Sequence, residues 1–340
     1  MASHPTMNDV AREAGVGVAT VDRVINRRAP VKPATEQRVM DAARKLGFSA
    51  GKRIASPSAP CRLAFILLNS GAEFYRQFSE QLRLHASRSD HIASNPEFVW
   101  LNMNASQQIA DDIIELAGRN DVIGIVATDN PVVNQAINHV QEKGVRVYTL
   151  FSELTASGCA GYIGLDNRKA GRTAAWMISR LSKRPGKIGI LLGDHRFLCQ
   201  EMAEISFRSW FREKAAEFDI LEPLRSYEDD AIAEQATRTL LEENSDLVAL
   251  YVPSGGVDGV VRALLAAKKQ QNRTLTVVCH GPIANAQQAL LEEVVDVFIW
   301  HRMPALAAET IAAITDDFVN EARGNQQRYL PFDILTVENF

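Results

Sequence analysis

Cysteine is scarce in this sequence, and the few cysteines present do not form a metal-binding or disulfide pattern. They are Cys61, Cys159, Cys199 and Cys279, scattered over 340 residues without a CxxC pair. Scattered cysteines of this kind are typical of proteins in a reducing compartment, where thiols remain free. We therefore expect free, buried or half-buried thiols and no metal site.

Long hydrophobic runs and export signals are also missing. The longest apolar stretches, such as LAFILL, are too short to span a bilayer. The N-terminal residues MASHPTMNDVAREA lack the apolar core of a signal peptide. With 46% hydrophobic and 23% charged residues, the composition is that of a globular domain protein. We expect a cytoplasmic protein that makes no membrane contact.

Several catalytic and cofactor-binding motifs are absent as well. The sequence has no GxxxxGK[ST] phosphate loop and no HExxH pair. The stretch GVGVAT carries two glycines of a dinucleotide fingerprint, but the third glycine and a preceding strand are missing. PSGGVDG could hold an anion at a helix N-terminus, although a tight strand-to-helix turn is the simpler interpretation. We expect no enzyme and no cofactor, and an enzyme acting on carbohydrate is the least favoured alternative.

What the sequence does have is an uneven distribution of charge. Residues 1–53 contain ten basic and five acidic residues, a net charge of +5, whereas the remainder carries 27 basic and 36 acidic residues, a net charge of −9. A small basic segment on an acidic body is typical of nucleic-acid contact. A solvated charged surface is the alternative that composition alone leaves open.

Apolar spacing predicts three short helices in residues 1–50. Thr6 and Asp9 suit the start of a first helix that Gly15 ends. A second helix follows GVG, and a third runs from Pro33 to Leu46, with Gly47 after it. Two short helices joined by a glycine-containing turn make a helix-turn-helix.

The second helix would turn its later valines inward and leave a polar edge outside. Val18, Ala19, Thr20, Arg23 and Asn26 then face outward. A recognition helix touches base edges with its N-terminal residues, and Arg can grip guanine through two hydrogen bonds. A three-helix scaffold without DNA contact is the alternative that this pattern leaves open.

The stretch from MNDVAREAGVGVATVDRVIN to DAARKLGF resembles the DNA-binding head of the LacI/GalR family of transcriptional regulators. The shared elements are D-V-A, A-G-V, A-T-V-x-R-V-x-N and a third helix ending in L-G-F. The resemblance implies that Val18, Ala19 and Arg23 face bases and that Thr20 and Asn26 face the DNA backbone. The full set of expected DNA contacts is Thr6, Val18, Ala19, Thr20, Asp22, Arg23, Asn26, Arg27, Lys52 and Arg53.

Some positions depart from the family pattern. Gly17, Asp22 and Lys32 stand where relatives commonly have serine. The carboxylate of Asp22 would repel phosphate unless it accepts from cytosine or pairs with Arg23 or Arg27, and we expect it to narrow or weaken operator choice. The linker, residues 51–62, lacks the leucine of the family's hinge helix, and Pro57 would interrupt a helix there. Ile54 is the only bulky apolar side chain that could act as a minor-groove wedge.

Residues 63–340 alternate apolar strands with helices in two successive series. Continuous apolar strands separated by helices predict parallel sheets covered on both faces. The predicted fold class is therefore α/β, with a small all-α helix-turn-helix domain (1–50), a linker (51–62) and a body (63–340) of two doubly wound parallel α/β lobes. The order of elements and YIGLDNRKAGRTAAWMI resemble type I periplasmic binding proteins, the sensor body of the same family, and FDILTVENF resembles the family's terminal strand.

Ligand contacts are expected where polar or aromatic residues follow the predicted strands, because ligands bind at the carboxyl ends of parallel strands. Phe74 and Tyr75 would stack on a sugar, although spacing alone fits plain helix core equally well. Single histidines are more often structural than ligand-binding. The candidates are Asn69, Phe74, Tyr75, Asp129, Asp166, Arg196, Ser254, His280 and His301.

The predicted pocket also departs from the family pattern. Ala203 and Ser206 stand where many relatives have the Arg and Gly of R-E-x-G-F, and Gly281 stands where several have a polar group. Arg196 is the candidate substitute for the missing guanidinium.

The resemblance implies a homodimeric repressor that binds a double-stranded DNA operator and responds to a small carbohydrate-like effector. A carbohydrate sensor with weakened DNA binding is the alternative.

Overall fold

The computed structural model describes residues 5–25, 31–46, 48, 60–69, 73–93, 95–271, 275–320 and 325–340. The chain separates into two compact units, Met1–Ala59 and Pro60–Phe340. Most of the predicted linker, residues 51–59, lies outside the described residues.

The described residues of the first unit form three helices, at the places that apolar spacing predicts: α1 (Met7–Ala14), α2 (Val18–Ile25) and α3 (Pro33–Leu46). One buried cluster joins them, formed by Val10, Ala11, Ala14, Val21, Val24, Val39, Ala42, Ala43 and Phe48. The small side chains let three short helices approach closely enough to enclose a core.

Both ends of α1 follow local rules. The Asp9 carboxylate accepts hydrogen bonds from the Thr6 backbone N–H at 2.8 Å and from the Thr6 hydroxyl at 2.7 Å. These bonds lower the pKa of Asp9. Gly15 ends the helix with φ at 65°, a left-handed conformation that favours glycine.

The second unit alternates strands and helices along its whole length. In chain order its elements begin with β1 (Leu63–Leu68), α4 (Glu73–Ala86), β2 (Glu97–Leu101), α5 (Ser106–Ala117), β3 (Val122–Ile125), α6 (Pro131–Glu142), β4 (Arg146–Leu150), β5 (Gly161–Leu165), α7 (Asn167–Leu181), β6 (Lys187–Leu192), α8 (Leu198–Lys214), β7 (Asp219–Ile220) and β8 (Leu224–Arg225). They continue with α9 (Asp230–Glu243), β9 (Leu247–Val252), α10 (Val257–Gln271), β10 (Thr276–Gly281), α11 (Ala286–Leu291), β11 (Val297–Trp300), α12 (Met303–Asn320), β12 (Gln326–Leu330) and β13 (Asp333–Leu335).

These strands form two sheets, one in each lobe. The first has the order β12-β5-β4-β3-β1-β2, and the second has the order β13-β11-β10-β9-β6-β7, with β8 also paired to β6. All described pairs are parallel except β11 with β13, which is antiparallel. The prediction of parallel sheets is therefore wrong for one pair of strands in the second lobe, β11 with β13.

Strand β1 is apolar at every position because both of its faces are buried. Leu63, Phe65 and Leu67 belong to a buried cluster that includes residues of α4 and α12. Ala64 and Ile66 belong to a second cluster that includes residues of α5 and α6. Because successive strand residues point to opposite faces, a strand covered on both faces must be apolar at every position.

The chain does not finish one lobe before starting the other. After β11 it returns to the first lobe as α12 and β12, and β13 then joins the second sheet. The predicted order lacks α12 and β12. Three crossings, after β5, β11 and β12, therefore connect the lobes.

The cysteines lie where expected: Cys61 and Cys279 are buried, Cys159 and Cys199 are half-buried, and all four are free. In the part of the chain that the structure describes, no helix combines the length and apolar character needed to cross a bilayer.

Candidate DNA-reading helix and ligand cleft

Helix α2 presents an exposed edge in the first unit. Val21 and Val24 are buried, whereas the side chain of Val18 is 42% exposed. Ala19 and Arg23 are exposed, and Thr20 and Asp22 are half-buried. The division into inner and outer faces is therefore the predicted one.

The remaining predicted DNA contacts divide into two groups. Thr6 is exposed, and its hydroxyl is engaged with Asp9. Asn26, Arg27, Lys52 and Arg53 lie outside the described residues, as do Ile54 and Pro57 of the linker.

A cleft of about 780 Å³, including the space at its open mouth, lies between the lobes of the second unit. Clefts between two lobes or domains are common places for small-molecule ligands to bind. Residues near the starts of α4, α7, α8, α9 and α10 contribute to it, together with residues that follow β4, β9, β10 and β11. The lining residues are Glu73, Phe74, Tyr75, Phe151, Asn167, Cys199, Gln200, Glu228, Asp230, Pro253, Ser254, Gly255, Gly256, Val257, Asp258, His280, Pro282, Ile283 and His301.

One side of the cleft is aromatic. The centroid of the Phe74 ring lies 5.0 Å from the ring centroid of Tyr75, 4.9 Å from that of Phe151 and 5.1 Å from that of His301. The last contact is edge-on, at 81°. Rings fixed by one another in this way form a preorganised apolar surface for a ligand.

Two histidines lie in the cleft wall, each with only 8% of its surface exposed. His280 Nε2 lies 3.1 Å from the hydroxyl of Tyr251, and His301 Nδ1 lies 2.8 Å from the carbonyl oxygen of Gly281. Burial lowers the pKa of His280 to about 3 and that of His301 to about 4, and the nearby His301 adds to the effect on His280. Both rings are therefore neutral near pH 7.

A carboxylate stands among these neutral groups. Glu228 accepts hydrogen bonds from Gln200 Nε2 at 2.8 Å and from the Gly255 N–H at 3.0 Å. A Cβ atom at Gly193 would lie 1.9 Å from its Oε1, so a larger residue at that position would displace the Glu228 carboxylate. Burial raises the pKa of Glu228, although the two hydrogen bonds oppose that effect.

The other carboxylates in the wall have separate partners. The Glu73 carboxylate accepts hydrogen bonds from the side chains of Arg76 and Gln77 on α4. Asp258 accepts from the Asn285 side chain at 2.9 Å. Burial raises the pKa of Asp230, and the backbone of Gly259 in the first turn of α10 opposes that effect.

Five of the nine predicted ligand residues come together in the cleft lining: Phe74, Tyr75, Ser254, His280 and His301. The other four, Asn69, Asp129, Asp166 and Arg196, are not part of it.

Each of those four has another position. Asn69 is exposed after β1. Asp166 caps α7 by accepting from the Lys169 N–H at 3.0 Å, and Asp129 accepts from the Thr155 N–H at 2.8 Å. Arg196 is held by Asp194 at 2.9 Å.

Arg196 lies instead at a contact between the lobes. Its guanidinium donates to Asn104 in the first lobe at 3.0 Å, and its carbonyl oxygen accepts from the Asp129 N–H at 2.7 Å. The adjacent Phe197 is 2% exposed and belongs to the buried cluster of the first lobe, although it precedes α8 of the second.

Ala203 and Ser206 are buried and do not line the cleft. A Cβ at Gly171 of α7 would lie 2.1 Å from the Ala203 carbonyl oxygen and 2.4 Å from Ser206 Oγ. Their small size therefore serves the close packing of α7 on α8, which the family pattern alone did not indicate.

The cleft also contains polar residues that the sequence did not single out, notably Glu228, Gln200 and Asn167. Glu228 follows β8, a strand of two residues that carries no periodic signal. A polar residue at the start of a helix is the only local signal that could have drawn attention to Gln200 and Asn167. Across the described parts of the chain, no group of three or more His, Cys, Asp or Glu side chains is placed to hold a metal ion.

An all-α unit with an exposed helix, followed by a two-lobed module with a cleft between its lobes, defines the class of helix-turn-helix proteins with a ligand-binding body. The chain belongs to the periplasmic binding protein domain family, whose model matches residues 63–317. Residues 6–50 match the lacI family of bacterial regulatory proteins.

Curated relatives include the HTH-type transcriptional regulator GntR of Pseudomonas aeruginosa, 26% identical over 57% of this chain and 56% of the relative. The sucrose operon repressor of Streptococcus mutans is 24% identical over 51% of this chain and 52% of the relative. The chain thus spans about half the length of these relatives. Both names describe regulators, not enzymes.

Solved structures share the fold of the body. A putative LacI transcriptional regulator from Bacteroides fragilis superimposes with a TM-score of 0.72 at 17% identity, covering 83% of this chain and 98% of that one. An ABC transporter solute binding protein from Agrobacterium vitis with bound D-fucose gives a TM-score of 0.73 at 14% identity, covering 82% and 96%.

Proposed function

We propose that this protein is a DNA-binding transcriptional regulator, a repressor, whose affinity for its operator is set by a small molecule bound between the two lobes. The observation that carries this proposal is the exposed edge of α2, where Val18, Ala19 and Arg23 project from a helix whose Val21 and Val24 are buried in the core. A helix presented in this way fits the major groove of DNA.

The chemistry of this edge suits base recognition. Arg23 can donate two hydrogen bonds to guanine, and Val18 and Ala19 can contact a thymine methyl group. Thr20 can bond a phosphate, which positions the helix without reading sequence. Asn26, Arg27, Lys52 and Arg53 remain proposed contacts on the strength of the sequence.

The effector is proposed to be carbohydrate-like. The names of the sucrose operon repressor and of the solute binding protein with D-fucose support this class, as does the aromatic wall of Phe74, Tyr75 and Phe151. Binding across the cleft would favour one arrangement of the lobes. If that arrangement alters operator binding, effector and operator affinities are coupled reciprocally.

A single small head has limited affinity, so we infer a homodimer that reads a pseudo-palindromic operator. Because the operator is DNA, we place the protein in the cytoplasm. We further propose that the cleft binds its ligand without chemical turnover, since the relatives are named as regulators and binding proteins.

The test is selection of bound fragments from a random DNA library by the purified protein, followed by titration at fixed salt. A palindromic consensus supports the proposal, and purely nonspecific binding contradicts it.

Replacing Arg23 by Ala should relax base preference at one operator position by about 1–3 kcal/mol. Arg38→Ala is the matched control, because Arg38 is an exposed arginine on α3 and its loss changes the net charge equally. The control should weaken binding to all sequences alike. If both variants keep the wild-type preference for the operator bases, or both lose it to the same extent, α2 does not read bases through Arg23.

A second candidate is a carbohydrate sensor with weakened DNA binding. Gly17 precedes α2 and accepts backbone bonds from Thr20 at 2.8 Å and Val21 at 3.2 Å, but it has no side chain to contact phosphate. Strong ligand binding together with only weak, nonspecific DNA binding would favour this candidate.

A further inference from the structure

We propose that the cleft selects a small molecule rich in hydrogen-bond donors, a polyol or an amino polyol without a carboxylate or phosphate group, and that Glu228 and His301 receive its donors. This inference rests on the proposed role of the cleft as the effector site. It goes beyond that role by assigning the charge class of the ligand.

The first argument is the unbalanced charge of the wall. Glu73, Glu228, Asp230 and Asp258 line the cleft, whereas none of the described residues lining it is Lys or Arg. A ligand carboxylate or phosphate would therefore enter a wall with four carboxylates and no opposite charge, which disfavours its binding.

The position of Glu228 strengthens this argument. Glu73 has Arg76 as a partner, but both hydrogen-bond donors to Glu228 are neutral, the Gln200 amide and the Gly255 N–H. A carboxylate accepts at up to about four lone-pair positions, so Glu228 retains capacity for ligand donors. A ligand ammonium or hydroxyl would supply them.

His301 provides an independent indication that a ligand donates here. Its Nδ1 faces a carbonyl oxygen, which can only accept, so Nδ1 carries the proton and Nε2 has a free lone pair. The ring is 92% buried, lines the cleft and has no protein partner at Nε2 among the described residues. An acceptor atom in the cleft lining that has no protein donor is available to a donor group of the ligand.

The helix terminus in the cleft does not offset this preference. The first turn of α10 would ordinarily attract an anion. Here Asp230 lies close enough to the Gly259 backbone for that backbone to lower its pKa, and Asp258 lies within the turn. The terminus is thus already provided with negative charge by the protein.

The experiment is isothermal titration of the full-length protein with matched sets of ligands that differ in one group. Each set contains a neutral sugar or polyol, its amine, its acid and its phosphate, built on aldohexoses, aldopentoses, linear polyols and inositols. A neutral or amine member should bind, and its acid and phosphate counterparts should bind about tenfold more weakly or worse. Tighter binding of the neutral member would identify the ligand as a polyol, and tighter binding of the amine would identify it as an amino polyol.

Glu228→Gln tests the assigned residue, with Glu222→Gln, an exposed glutamate of the same lobe, as the control. The Glu228 variant should bind the preferred ligand about tenfold or more weakly and should discriminate less against the acid. The control should behave as the wild type. Far-UV circular dichroism and a cooperative denaturant transition would show for both variants that the body folds.

The proposal is overturned if an acid or phosphate binds as tightly as its neutral counterpart, if no member of any set binds, or if Glu228→Gln leaves all affinities unchanged. Each of these results can occur while operator selection succeeds. Failure of this inference is therefore distinguishable from failure of the proposed function.

Discussion

At the scale of single residues, the two buried histidines connect the ligand cleft to stability. Their pKa values lie below 6.5 because burial disfavours the imidazolium form. In the unfolded chain each ring takes up a proton near pH 6.5, whereas in the folded chain His301 does so only near pH 4. Between these values the unfolded state binds more protons, so the free energy of unfolding falls as the pH falls.

We expect His301→Gln to reduce this pH dependence. Between pH 6.5 and 5 the wild type should lose about 1.5 kcal/mol more of its unfolding free energy than the variant does. Glu228 has a raised pKa and acts in the opposite direction, but it is present in both proteins.

Denaturant titrations at several pH values would measure the difference. His139→Gln, at an exposed position, is the control and should retain the wild-type dependence. If the free energy of unfolding changes with pH in the same way for the wild type and for His301→Gln, the ring of His301 is not a neutral buried group.

At the scale of secondary-structure elements, the contact between α7 and α8 shows how glycine can be required inside a helix. Glycine ordinarily weakens a helix by about 1 kcal/mol relative to alanine. At Gly171, however, the Ala203 backbone approaches so closely that a methyl group has no space. The packing of the two helices therefore outweighs the local helix preference.

Gly171→Ala should accordingly destabilise the body by about 1–3 kcal/mol, because the nearest atom, the carbonyl oxygen of Ala203, belongs to the backbone and cannot rotate away. The comparison variant is Ser179→Ala on the same helix, expected to change stability by about 0.5 kcal/mol or less. Chemical denaturation of both variants would measure the effect. A stabilised Gly171→Ala would show that helix preference dominates.

At the scale of the whole body, the two lobes are joined by more than their three connecting segments. Phe197 extends from the second lobe into the buried cluster of the first, and Arg196 beside it donates to Asn104. Unfolding one lobe would expose apolar surface that belongs to the other. We therefore expect the body to unfold in one cooperative transition.

Phe197→Ala tests this coupling. Removing a ring that is 2% exposed should cost about 3–5 kcal/mol and should separate the unfolding of the lobes into two steps. Calorimetry would detect both effects. Phe340→Ala removes a ring that is 52% exposed, and its single transition should remain close to that of the wild type.

The sequence by itself determined most of the helices and strands and the exposed edge of α2. These features follow from the spacing of apolar residues and from local signals such as Thr6 with Asp9 and Gly15, which act over a few residues. The same local reasoning placed Phe74, Tyr75, Ser254, His280 and His301 near strand ends or helix starts, which the fold brings together.

Only the tertiary structure decided the rest of the cleft and the course of the chain. Glu228 follows a strand of two residues, and it reaches the cleft because β8 pairs with β6. Return of the chain to the first lobe as α12 and β12 depends on which sheet edge remains open for pairing. Contacts between residues far apart in the chain leave no periodic trace in it, because they are fixed by packing and not by neighbouring residues.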